Sequence, residues 1–73
     1  MTSRLAYTGG AMYVVTAEGV RRRVPAGACR IGPQSAPPRF CTVSWRENGI
    51  EQSAEVSAED LSAYLQGCIV QFA

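Results

Sequence analysis

The sequence predicts a small, mainly β fold. Three observations carry the prediction: an Asn-Gly pair between two alternating runs, a valine-rich run facing an arginine-rich one across Glu18-Gly19, and four prolines confined to one stretch. Seventy-three residues make a single small domain with one core. Hydrophobic residues make up 47% of the chain, but ten of them are alanines and only 18 are Val, Ile, Leu, Met, Phe or Trp. That suffices for a minimal barrel or sandwich and is too little to enclose a deep substrate cavity, so large enzyme folds are excluded.

Residues 1–10 read as a flexible segment, with a short strand from Arg4 to Tyr7 as the other reading. The first hairpin joins Met12-Tyr13-Val14-Val15-Thr16 to Val20-Arg21-Arg22-Arg23-Val24. A two-residue loop at Glu18-Gly19 sets Val15 opposite Arg22 and Tyr13 opposite Val24. One face then carries Tyr13, Val15, Ala17, Val20 and Val24, and the other Met12, Val14, Thr16, Arg21 and Arg23. Both faces are partly apolar, so the pattern does not fix this register. Residues 25–39 hold all four prolines and a single large aliphatic, Ile31, and are expected to form a long irregular loop with room for one short strand.

The second hairpin, Phe40 to Arg46 and Ile50 to Val56, flanks Asn48-Gly49, a pair that accepts the positive φ of a type I′ turn. Its register sets Arg46 opposite Glu51, Ser44 opposite Ser53 and Thr42 opposite Glu55 on a polar face. Cys41 opposes Val56 and Val43 opposes Ala54 on an apolar one. Turn chemistry and binary pattern agree, since a slip of one residue would turn Val43 and Trp45 into water. Ser57 with Asp60 three residues on forms a capping-box pattern for a helix of about two turns. Leu61, Tyr64 and Leu65 share one face of that helix, and Gly67 is the expected left-handed stop. Cys68 to Phe72 reads as a final strand.

The order of hairpin, long loop, hairpin, short helix and final strand resembles the small five-stranded SH3-like barrels in topology. The helix is longer than the turn such barrels use at that point. The alternative is an α+β meander, one helix packed on a curved antiparallel sheet. The residues match no motif specific to a family.

The net charge of +1 conceals a strong segregation. Residues 1–46 carry all seven arginines against Glu18 alone, a balance of +6, and residues 47–73 carry five acids and no base, a balance of −5. Histidine and lysine are absent, which removes the commonest general base, the commonest metal ligand and any histidine-type pH switch. Cys29, Cys41 and Cys68 are widely spaced without a CxxC pair, so neither a disulfide framework nor a zinc site is expected. No cofactor motif and no small-molecule substrate site is evident. The sequence contains neither a signal-peptide pattern nor a membrane-length apolar run, and the chain reads as cytoplasmic.

Binding is the function left by these exclusions. The expectation is a non-enzymatic protein-interaction module of bacterial or mobile-element origin, with self-association as one form of it. The candidate binding residues are Arg21, Arg22 and Arg23, with Arg30 and Arg39 nearby, because guanidiniums pair in two-pronged fashion with carboxylates or phosphates. On a strand, Arg21 and Arg23 point to one side and Arg22 to the other. Trp45 is the secondary candidate, although its place near the end of an apolar face also fits a core edge. The alternative function is nucleic-acid binding by the arginine strand together with Tyr7, Tyr13, Phe40 and Trp45 as exposed aromatics. The acidic half offers Glu51, Glu55, Glu59 and Asp60 as complements to the arginines, within one chain or between two. Cys29 beside Arg30 is the expected most reactive thiol.

Overall fold

Two antiparallel sheets packed face to face, with one short helix along their side, make up the computed structural model, which describes residues 3–34 and 40–73. The elements are β1 (Arg4–Thr8), β2 (Met12–Val15), β3 (Arg21–Val24), β4 (Gly27–Gln34), β5 (Phe40–Glu47), β6 (Ile50–Ser57), α1 (Ala58–Gln66) and β7 (Val70–Phe72). A five-stranded sheet runs β6-β5-β4-β1-β7, and β2 and β3 form a two-stranded sheet. The chain is therefore mainly β.

The hairpin β5–β6 has the register its turn dictates. Arg46 pairs with Glu51, Ser44 with Ser53, Val43 with Ala54 and Cys41 with Val56. Asn48 and Gly49 both take positive φ, 53° and 77°, as a type I′ turn requires. Val43 and Trp45 point into the core.

The first hairpin differs from the two-residue-loop expectation by one step. Met12 pairs with Val24, Tyr13 with Arg23, Val14 with Arg22 and Val15 with Arg21. Thr16 donates its N–H to Val20 O (2.9 Å), so the loop is Ala17-Glu18-Gly19, with Gly19 at φ 80°. A three-residue loop ending in a left-handed glycine is the other common hairpin solution. Because strand side chains alternate, the slip exchanges the faces. Met12, Val14 and Val24 are buried, while Tyr13 and Val15, expected beside Val24, face solvent.

The segment expected as an irregular loop with room for one short strand, residues 25–39, contains an eight-residue strand, and residues 35–39 lie outside the described residues. Gly27–Gln34 is β4, the central strand between β1 and β5. Cys29 and Ile31 are buried and Ala28 and Arg30 exposed, a period-two pattern that glycine and alanine made faint. Pro25 precedes the strand, and Pro33 sits where the β4–β5 register shifts between Ile31 and Gln34, a place where a missing N–H is tolerated. The segment read as flexible contains β1, which pairs on both sides, with β4 and β7. Thr8 of β1 is buried and ties the corner after β3: its hydroxyl accepts from Gly27 N (3.0 Å) and donates to Pro25 O (3.2 Å).

The capping-box expectation at Ser57 is also corrected, because the Ser57 side chain caps nothing and Asp60 is used elsewhere. At the far end Gly67 has φ −79°, and the left-handed residue is Cys68 at φ 60°. Ile69 N donates to Tyr64 O and Cys68 N to Leu65 O, both at 3.1 Å, which is the Schellman pattern displaced one residue beyond the glycine. Leu61 is buried, and Tyr64 and Leu65 pack against the core at its margin.

The core lies between the sheets. Met12, Val14 and Val24 from the hairpin meet Ala6, Cys29, Ile31, Cys41, Val43, Trp45 and Val56 from the larger sheet, closed at the side by Leu61 and Val70. No helix among the described residues is long and apolar enough to cross a membrane.

Candidate functional site

The hairpin β2–β3 has two edges with opposite treatment. In an antiparallel pair, residues alternate between exchanging main-chain hydrogen bonds with their partner and pointing those groups away from it. The Thr16–Val20 bond fixes the phase, so Val14–Arg22 and Met12–Val24 are bonded pairs. Tyr13 and Val15 on β2, and Arg21 and Arg23 on β3, therefore direct their N–H and C=O groups outward.

On the β2 side these groups are satisfied. Tyr13 N donates to the Tyr64 hydroxyl (3.0 Å), which in turn donates to Tyr13 O (3.2 Å). Val15 N donates to Asp60 Oδ2 (3.1 Å), and Ala17 N donates to Glu55 O (3.0 Å). The Thr16–Val56 bridge continues this seam. Helix α1 thus serves as a side-chain strand, completing an edge that β6 pairs only at one end.

On the β3 side, no other strand among the described residues lies beside Arg21 and Arg23, where β3 pairs only with β2. Both residues are exposed, and their side chains share the outer face with Tyr13 and Val15, which are 58% and 40% exposed. Among the described residues no arginine lies within 4.0 Å of a carboxylate oxygen. Even Arg46, opposite Glu51 in the ladder, makes no such ion pair. The charge segregation of the sequence is thus not discharged by ion pairs within the described chain.

The predicted cluster is only partly assembled. Arg22 turns inward, half-buried, with its guanidinium 5.2 Å from the Trp45 ring centroid, a cation–π contact. Arg30 is on the outer face of the five-stranded sheet, on β4 rather than beside β3. Arg39 lies outside the described residues. Trp45 is 4% exposed, a core residue whose Nε1 donates to Glu47 Oε1 at 3.1 Å. Of the aromatic candidates, Tyr7 and Tyr13 are exposed and Phe40 is half-buried. Arg4 stacks on Phe72, 4.0 Å from its centroid.

Cys29 reverses its expected role. Strand alternation turns it to the core, away from the face that carries Arg30, and burial pushes its thiol pKa up rather than down. Burial raises Cys41 in the same way, and Cys68 is the exposed thiol. No group of three or more Cys, Asp or Glu side chains among the described residues could hold a metal ion.

Asp60, expected at the helix cap, and Tyr64, expected in the core, both hydrogen-bond the edge of β2. Only the arrangement of α1 beside β2 reveals it. Compared with protein-family models, with curated proteins and with solved structures, the chain has no match.

Proposed function

We propose that this chain is a non-enzymatic protein-interaction module that takes an extended acidic segment of a partner protein along the open edge of β3. The observation that carries the reading is the pair Arg21 and Arg23: each directs its main-chain N–H and C=O away from β2 while its guanidinium stands on the outer face with no acidic partner among the described residues. An added strand would gain main-chain hydrogen bonds from these residues, and alternate acidic side chains would meet the guanidiniums. The same charges discourage pairing with a basic or purely apolar strand, so edge protection and partner choice come from one feature.

The proposal includes an SH3-like barrel as the architecture, supported by the Thr16–Val56 bridge and the helix that ties β2 to the larger sheet. It also includes a reducing, cytoplasmic setting, which suits three free thiols. A second copy of the chain supplying its acidic half would be the self-associating form of the same recognition.

The test is a titration of isotope-labelled protein with a short peptide alternating Glu and Val. Amide shifts should centre on β3. Arg21→Ala with Arg23→Ala should weaken binding at least about fivefold and leave the fold intact, in keeping with two exposed charge pairs. Arg23→Pro removes an N–H that β2 does not use and should also weaken binding. Shifts elsewhere, or equal binding by the double variant, would refute the assignment.

A further inference from the structure

A second arginine site lies on the outer face of the five-stranded sheet, away from β3, and the strand registers define it. Tyr7 pairs with Gln71 on one side and Ala28 on the other. Arg46 stands one step beyond the Cys29–Trp45 pair and so beside Ala28, with Glu51 across from it. In the next row Leu5 pairs with Arg30, and Arg30 with Ser44. Side chains of one row and the next are diagonal neighbours, roughly 7–8 Å apart between adjacent strands. Arg30 is therefore diagonal both to Tyr7 and to Arg46.

Leu5, Ala28, Arg30, Ser44, Arg46 and Glu51 line an open hollow here, together with the intervening Cys29–Trp45 pair. Its floor is made of the small side chains Ala28 and Ser44, which leave the space above the sheet free. Both guanidiniums are exposed and neither has a carboxylate within 4.0 Å among the described residues. Tyr7, 51% exposed, is diagonal to Arg30 on β1 and lines a separate hollow on the side of β7. A pair of unpaired guanidiniums, a hydroxyl donor and a neighbouring aromatic ring suit a ligand that carries an anion and a planar group a short distance apart.

We propose that this face binds a nucleotide unit of single-stranded nucleic acid, with one phosphate between Arg30 and Arg46 and the adjoining base on Tyr7. Ser44 offers a hydroxyl to the phosphate, and Leu5 extends the apolar side of the base site. Glu51 repels a phosphate beyond β5, so the strand runs from this point toward β1 and β7, and the footprint is short. The site is independent of the β3 edge, which faces the other way on the smaller sheet.

The experiment is an amide-shift titration with oligothymidylate, with arms using thymidine monophosphate, inorganic phosphate and polyphosphate. Oligothymidylate should shift Tyr7, Ala28, Arg30 and Arg46 and leave Arg21 to Arg23 unmoved. Arg30→Ala with Arg46→Ala should weaken binding tenfold or more, and Tyr7→Ala at least about fivefold, the lower end of one base-stacking contact. One or two neutralised phosphates give a log–log salt slope of about −0.7 to −1.4. Binding by the monophosphate as tightly as by the oligomer would keep the site and make free nucleotides its source. Polyphosphate binding as tightly as the oligomer with Tyr7→Ala without effect, shifts centred on β3, or no shift at all would each overturn the proposal. These exposed substitutions should leave the dispersion of core amides unchanged, which separates lost binding from lost fold.

Discussion

The two hairpins of this chain carry opposite duties. β5–β6 is long, eight residues on each strand, and forms one side of the large sheet with its inner face full of core residues. β2–β3 is four residues on each strand, held by side chains of a helix along one edge and, among the described residues, unpaired along the other. The difference shows how a small protein can spend most of its core on a scaffold and still present a strand. The presented strand is guarded by charge rather than covered, and the same charge selects what is allowed to pair with it.

The sharpest way to break the comparison is at the two turns. Gly49 and Gly19 both have left-handed backbones, φ 77° and 80°, and an added Cβ would meet no atom within 4 Å at either. The cost of a side chain there is backbone strain alone, about 1–2 kcal/mol and more for a β-branched residue. Gly49→Val should lower stability by about 2 kcal/mol and the melting temperature by roughly 10 °C, as one cooperative loss of the whole sheet. Gly19→Val should cost a similar amount but act locally. In native-state hydrogen exchange, amides of residues 13–24 should open while those of β5 stay protected.

Next in size is the seam between α1 and β2. Tyr64→Phe with Asp60→Ala removes the acceptors for Tyr13 N–H and Val15 N–H, and should cost about 1–2 kcal/mol in total. The two amides should lose protection while those of Arg46 and Glu51 do not. A seam that matters less would show unchanged exchange at Tyr13 and Val15.

These regions were not equally legible in the sequence. The register of β5–β6 followed from Asn48-Gly49 and a clean alternation, two signals that agree. At β2–β3 Glu18-Gly19 admits loops of two or three residues, and with valines at successive positions 14 and 15 the pattern could not choose between them. β4 escaped because Gly27, Ala28 and Gly32 contribute little hydrophobic signal, and the pairing on both of its edges is supplied by distant residues. The same long-range pairing brings Tyr7, Arg30 and Arg46 onto one face, and no local motif announces it. Arg21 and Arg23 were visible because strand alternation alone puts them together. Trp45 became a core residue through the layer above it, where Arg22 packs on its ring.

Smaller effects refine the scaffold side. Cys68 holds the left-handed position that ends α1, and Cys68→Gly should stabilise the fold by about 1 kcal/mol, measured by denaturant unfolding. The least effect comes from pH. The Cys29 and Cys41 thiols are raised by burial above their ordinary 9.0, so the folded chain holds these protons more tightly than the unfolded one. Their contribution is intact below about pH 9 and is lost as pH rises through the raised values. Unfolding at pH 7 and at pH 10 should show a decline that Cys29→Ala with Cys41→Ala makes shallower.

The open edge of β3 is tested most directly by hydrogen exchange at its individual amides. Arg21 and Arg23 should exchange rapidly in the free protein, in contrast to Arg22, whose N–H faces Val14, and a saturating acidic peptide should slow both. Protection of Arg21 and Arg23 before any peptide is added, or exchange that the bound peptide leaves unchanged, would contradict the account.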